Sequence, residues 1–499
     1  GNWDFFLFYT PEAQQAEPLV FLPYLIPGQI VGHFISDTDP ALTPALIVVF
    51  HLMNAGFDAV LVIVIYRFAA AFLDNPRDRV IATILALFGG GLGWLLALTG
   101  QSTLPADFYI PEGFTFLILF GLPHLALARA ALLAGLLALM KSLPADKPIR
   151  PTGNELRWLI GAGICWLIVG LCVSFYLAVI YCVLGAWGLA AWAKDRRFPM
   201  ALFVRAVMAA GITLPLFLFY ALAFAANPAF ALWSAQNILT SPPPLQYVFA
   251  YILLILMAAF GVRWLWTRAG LRPAPTDSVG SWAYNAAPLL IGWVLIVPIL
   301  VYLPINVQRR MSEGVIVPLA VLAAAGLRVL AERRVPLVAR GALIAVSLLT
   351  SVLLLLGGVL AAIHPATPLF RPAAEVDAFN WLDQHAPPDQ IVLSAVETGN
   401  VLPAWTNLRT VMGHGPETLQ WPEKTDELEA FYADKMSDPQ RVHFLADPCA
   451  ANFTCAGMVR YVMFGPLERA LAPSDSPAWA SGMSVVYDSG GYRIYATQP

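Results

Sequence analysis

Ten mostly apolar stretches, each about 20 residues long, leave this chain few folds to choose from. In a bilayer a helix closes all its own backbone hydrogen bonds, which irregular chain cannot do. The stretches lie at roughly 44–72, 79–99, 113–141, 157–173, 175–194, 199–225, 246–268, 283–304, 314–332 and 337–361. The fourth and fifth are short and closely joined, so a merged or re-entrant pair stays open. Of the 499 residues, 59% are hydrophobic and only 12% charged, with a mean hydropathy of +0.68. A soluble protein carries about 25% charged residues. The chain is therefore expected to be a polytopic membrane protein. Its net charge of -3 and lack of basic runs exclude nucleic acid as a partner.

Lys and Arg in the loops give the orientation. One set of loops carries Arg77 and Arg79; Lys141, Lys147, Arg150 and Arg157; Lys194, Arg196 and Arg197; Arg263, Arg268 and Arg272; and Arg333 and Arg334. The alternate set is 1–43, 100–112, the turn near Ser174, 226–245 and 305–313, and its basic residues are Arg309 and Arg310. The first set is expected in the cytoplasm, which puts residue 1 and everything after 361 outside. An outer N-terminus without a visible signal peptide suggests a further span upstream. Three regions follow. Residues 1–43 form a first outer loop with an interfacial helix across Pro18 to Ile35. Residues 44–361 form a helical membrane domain, and 362–499 an extracytoplasmic α/β domain. In the last region Ala373 to His385 has helical spacing, while Ile391 to Ala395, Met458 to Phe464, Ser484 to Tyr487 and Tyr492 to Tyr495 read as strands. The fold class is thus mainly α, with a C-terminal α/β domain. Cys449 and Cys455 are spaced for a small disulfide loop in an oxidising compartment. Cys165, Cys172 and Cys182 read as small core residues.

Several polar residues stand out against this background. Adjacent Arg309 and Arg310 on the outer side form a candidate phosphate clamp, because guanidinium binds phosphate oxygens in fork geometry. The competing reading is snorkelling to lipid headgroups. Glu112 is placed at the outer mouth of the third stretch and His124 about 18 Å deeper along it. Both are candidate cavity residues, since an ionisable group inside a membrane points to a site. Arg129 is expected to be structural, with Asp58 as its partner. His51, Asn54 and Asp58 form one helix stripe, facing either a cavity or a neighbouring helix. In the loop 226–245, Gln236 and Asn237 suit sugar hydroxyls, and Trp233 suits a sugar face or an interfacial belt. In the first loop Asp4, Glu12 and Glu17 are acids, and one such carboxylate could serve as general base toward an acceptor hydroxyl. His414, between two glycines, is a weaker signal. No metal site is evident.

With Tyr9-Thr10-Pro11-Glu12, then Pro18 to Gly32, and with Gln308-Arg309-Arg310 followed by Val315 to Leu319, the chain resembles the GT-C superfamily of membrane glycosyltransferases. Gly89 to Trp94, Pro111-Glu112 and Pro123-His124 resemble bacterial members of that group. The similarity spans most of residues 1–361 in layout. It implies transfer of a sugar from a polyprenyl-phosphate carrier, with the lipid-linked sugar as substrate and no further cofactor. It also implies an integral plasma (inner) membrane location, with the C-terminal domain outside. In that reading Asp4 or Glu12 serves the acceptor, and Arg309 and Arg310 hold the lipid phosphate. Glu112, His124, Gln236 and Asn237 bind substrate. One departure matters: the family's catalytic aspartate sits early in the first outer loop, and this chain begins inside that loop. The alternative is a non-catalytic scaffold or accessory subunit, bound to protein partners in a larger membrane complex.

Overall fold

A computed structural model describes residues 3–497, apart from 37–38, 40, 101–102, 144–150, 152 and 269–286. Lys147, Arg150 and Arg272 of the basic loops lie outside the described residues. The chain opens with a two-stranded hairpin, β1 (Asp4–Phe5) against β2 (Glu17–Pro18). Helix α1 (Leu22–Phe34) follows where an interfacial helix is expected, and α2 (Leu42–Ala70) is the first long apolar helix.

The next expected span is broken into α3 (Pro76–Phe88) and α4 (Gly93–Leu98). Between them the Gly90 and Leu92 amides leave the helical ladder and donate to Ser347 O and Phe249 O, each at 2.7 Å. The expected helix 113–141 is likewise divided, into α5 (Thr115–Leu119) and α6 (Pro123–Lys141). Pro123 cannot donate to the preceding turn and so starts the second helix. Then come α7 (Asn154–Cys172), α8 (Tyr176–Asp195), α9 (Met200–Ala226), the short α10 (Pro228–Gln236) and α11 (Pro244–Arg268). The fourth and fifth stretches are thus two full helices, not a merged pair. After α12 (Ala287–Leu300) and α13 (Ile316–Glu332), the last expected span bends by 46° between α14 (Leu337–Ser347) and α15 (Leu349–Ile363). Ser347, Thr350 and Ser351 cause the bend to be tolerated. Ser351 Oγ donates to Phe88 O (2.8 Å) and Thr350 Oγ1 to Asp107 (2.7 Å), while the Ser347 carbonyl serves Gly90.

With α3 and α4 taken together and α13 counted from Gln308, eight described helical runs are long and apolar enough to cross a membrane, or nine with the bent pair counted as one span. The protein is an integral, multi-pass membrane protein. Its membrane core is built on small residues. The clearest case is Gly261 on α11 facing Gly326 on α13, where an added Cβ would lie 1.9 Å from Leu322 O or 1.8 Å from Met257 O. Backbones that approach this closely replace the hydrophobic effect that lipid cannot supply.

The C-terminal region holds one five-stranded sheet in the order β4-β3-β5-β7-β6: β4 (Arg409–Thr410), β3 (Ile391–Leu393), β5 (Val459–Phe464), β7 (Tyr492–Ala496) and β6 (Ser484–Ser489). Pairs β3–β4 and β3–β5 are parallel; β5–β7 and β6–β7 are antiparallel. The expected helix is present as α16 (Ala373–His385), against the sheet. Cys449 and Cys455 are disulfide-bonded. They join Asp447 in the cluster with metal-ligand spacing among the described residues, and the disulfide already uses both sulfurs.

Two distant loops are fastened by one buried arginine. Arg129, on α6 and fully buried, makes two bonds to Glu313, at 2.7 and 2.9 Å. Nη1 donates to Thr115 Oγ1 (3.0 Å), and Nη2, one of the two nitrogens on Glu313, also faces Pro111 O (3.1 Å) and Glu112 O (2.5 Å). This corrects the expectation that Asp58 is its partner. Asp58 accepts from Asn54 on its own helix at 3.2 Å. Breaking one side of such a pair leaves a buried charge and costs about 3–5 kcal/mol. Arg129→Met is therefore expected to destabilise the protein by about that amount in thermal or denaturant unfolding in detergent. Arg129→Met combined with Glu313→Gln should recover part of the loss, because the uncompensated charge is gone.

Candidate functional site

The loop around Arg309 and Arg310 forms a short 3-10 turn, Gln308–Ser312, ahead of α13. It is fixed from three sides. Gln308 Nε2 donates to Leu303 O (2.9 Å), the Arg309 amide to Leu239 O (3.3 Å) and the Gly314 amide to Glu112 O (3.0 Å). Gly314 has φ +70°, and a Cβ there would also press on the Trp293 ring at 2.8 Å. Its lack of a side chain lets the turn close against the Glu112 carbonyl.

This frame sets the charges. Glu313 is consumed by Arg129. Glu112, buried, lies 3.4 Å from Arg310 Nε, whose side chain is 36% exposed. Burial pushes the Glu112 carboxyl up, and Arg310 pulls it back. Arg309 lies over the Tyr109 ring, 5.3 Å from its centroid, without an acid partner among the described residues. Three arginines thus face two glutamates, which leaves one positive charge in excess.

Arg310 lines a cavity of about 190 Å³ together with His124, Ser174, Tyr220, Trp233 and Asn237. Val20 and Phe21, directly after β2, form another part of its wall. His124 Nδ1 is 2.6 Å from the Tyr24 hydroxyl of α1. The cavity therefore joins a guanidinium, an imidazole, an amide and aromatic walls between the segment ahead of α1, the start of α6, the end of α7, α9 and α10. A guanidinium has five donors, and one nitrogen faces Glu112, so further donors can serve an anion.

The other expected site residues divide. Arg310, His124 and Asn237 come together here, and Glu112 reaches the cavity through Arg310. Gln236 does not line it. Gln236 Nε2 donates to Pro416 O and Thr418 O, both at 2.5 Å, and so ties α10 to the C-terminal region. Asp4 is exposed on β1 opposite Pro18, on the hairpin that leads into Val20. Glu12 does not act as an accessible loop acid. It is fully buried, 2.6 Å from Lys424 Nζ, and accepts from the Ala450 amide (2.7 Å) and the Thr10 hydroxyl. Its oxygens are taken up by these partners and closed off from an acceptor. Glu17 is taken by Asn227 Nδ2 (2.9 Å). His51 is exposed on α2, and the His51, Asn54 and Asp58 stripe does not line the cavity.

Asp107 was missed by sequence reasoning. It is buried, accepts from Thr350 and packs where a Cβ on Gly93 would stand 1.7 Å from its Oδ1. Burial raises its carboxyl to about 6. The run Gly89-Gly90-Gly91-Leu92-Gly93 was the available signal: glycines that dense mark a close approach to another group.

No sequence-family model matches the chain, and no curated protein matches it. Structures do. An archaeal oligosaccharyltransferase, AglB from Archaeoglobus fulgidus, solved with an inhibitory peptide and a dolichol-phosphate, aligns with a TM-score of 0.52 at 14% identity, over 99% of this chain and 68% of that one. The chain shares the fold of that structure. ArnT from Cupriavidus metallidurans, solved with undecaprenyl phosphate, aligns at 16% identity over 95% of this chain and 88% of that one, with a TM-score of 0.46. The resemblance read from the sequence therefore holds at the level of fold.

The N-terminal segment is held to the C-terminal region by a titratable contact. Tyr9 stacks on His414 at 5.4 Å, and His414 Nδ1 lies 3.0 Å from Glu417. The hydrogen bond to Glu417 raises the His414 pKa above its ordinary 6.5, against burial. A raised folded-state pKa gives stabilisation that is full below the unfolded value and lost as pH rises through the folded one. Hydrogen exchange at residues 8–12 should therefore quicken, beyond its intrinsic pH dependence, as pH rises through that range. His414→Gln should flatten the change.

Proposed function

We propose that this protein is a glycosyltransferase that moves a sugar from a polyprenyl-phosphate carrier to an acceptor on the outer side of the membrane. The observation that carries the reading is Arg310 in the wall of a cavity inside a GT-C fold, with a net positive charge around it. In support, the fold relative from Archaeoglobus fulgidus binds a dolichol-phosphate. The lysine and arginine bias of the loops supports a plasma (inner) membrane orientation with the sheet-bearing region outside.

In this reading the acceptor attacks the anomeric carbon from the face opposite the carrier, and the bond from that carbon to the phosphate oxygen breaks. Its electron pair stays on the phosphate. Arg310 balances the charge that develops, an interaction often worth more than any other single contribution to the rate. Glu112 orients the guanidinium. His124 and Asn237 line the path of the sugar, and Asp4 takes the acceptor proton. The lipid-linked sugar is the substrate, and no cofactor is invoked.

The test is lipid mass spectrometry on the purified protein. Wild type should retain a polyprenyl phosphate. Arg310→Ala with Glu112→Gln, which removes both members of the pair and leaves no orphaned charge, should retain it at least about tenfold less, as expected for loss of a charge-assisted hydrogen bond. Asp4→Asn should keep the lipid but lose about 100-fold or more in transfer rate. No such lipid in any sample, with fixed protein partners instead, would overturn the reading and leave an accessory subunit on the same fold.

A further inference from the structure

A second and larger hollow lies away from the arginine cavity, where the N-terminal segment meets the C-terminal sheet. Its volume is about 740 Å³, within the usual 300–1,000 Å³ or so of small-molecule sites. Phe6 and Phe8 form one wall. They flank the fully buried Leu7, and both rings turn to the hollow. The Phe8 carbonyl accepts from the Thr410 amide at 3.2 Å, which seats the segment on edge strand β4. Asp383, Asp389, Asn407 and Arg409 supply the polar part of the lining.

We infer that this pocket binds a saccharide. Three observations favour that class over others. Half-buried phenyl faces suit the C–H face of a sugar ring, while carboxylate, amide and guanidinium suit its hydroxyls, which both donate and accept. Two acids against one arginine give the walls one net negative charge, which disfavours a phosphate or other strong anion. The polar wall also disfavours a lipid tail.

Arg409 is the most telling group. It stacks on Phe6 at 4.4 Å, donates to Glu12 O at 3.3 Å through Nη1 and faces Asp389 Oδ1 through Nε at 3.5 Å, so the guanidinium is held in place in the lining. A guanidinium has five donors, and Glu12 O and Asp389 engage two of its nitrogens, so donors remain for a sugar hydroxyl. Phe6 and Phe8 belong to the same segment that delivers Val20 and Phe21 to the arginine cavity. On the transferase reading, the pocket is therefore a subsite for a glycan acceptor, displaced from the point of transfer.

The experiment is binding of the full-length protein, in detergent, to an array of neutral, amino and acidic oligosaccharides. Wild type should bind a neutral or amino-bearing subset. Phe8→Ala should weaken this by about tenfold, the effect of losing one aromatic contact. Gln384→Trp, an exposed residue at the pocket rim that the loop contacts do not use, should block binding while leaving thermal stability unchanged. Binding to no glycan, or equal binding by wild type and Gln384→Trp, overturns the inference. The Arg310→Ala, Glu112→Gln protein separates the two readings. If it loses the lipid but still binds glycan, both stand. If no protein retains lipid while glycan binding persists, the pocket stands and the transfer reading falls.

Discussion

The membrane part depends on the bond between Arg129 and Glu313. A fully buried guanidinium is costly unless every face is answered, and here a carboxylate, a hydroxyl and two carbonyls answer it. The gain is placement more than stability. The loop bearing Glu112 and the short 3-10 turn bearing Arg310 are distant in sequence and lie outside the long helices. Each is pinned to the same side chain, so the Glu112–Arg310 pair is held without having to organise itself. A cavity lined by an arginine that is itself half-exposed needs such an anchor, or the charge would turn toward water.

Much of the architecture was legible because it follows from periodicity. Helix Ala373–His385 and strands Val459–Phe464 and Tyr492–Ala496 lie where their side-chain patterns put them. The long apolar helices were likewise visible, since a bilayer tolerates little else. Breaks within them were harder. Pro123 marked one, but the bend after Ser347 arises from hydroxyls bonding to Phe88 and Asp107, and no local pattern records a tertiary partner.

At the site, residue type was readable and pairing was not. Arg310, His124 and Asn237 stood out as polar groups in apolar or outer surroundings, and they do line one cavity. Arg129 and Glu313 are 184 residues apart, so nothing in either neighbourhood named the other. Glu12 misled for the same reason: an acid in a polar loop reads as solvated, and its burial comes from Lys424, 412 residues further on. Gln236 likewise found its partners in the C-terminal region.

The first segment of the chain and the last region are woven together. Pro11 O accepts from the Ala456 amide and the Ala13 amide donates to Thr454 O, at 2.8 and 2.7 Å, beside the Cys449–Cys455 disulfide, while Glu12 holds Lys424 between them. That same segment continues into the wall of the arginine cavity. The sheet-bearing region is thus no detachable module. Removing it would strand the buried Glu12 carboxylate and leave the segment that ends in the cavity wall without its support, so a cut near residue 362 would lay open a seam on both pieces.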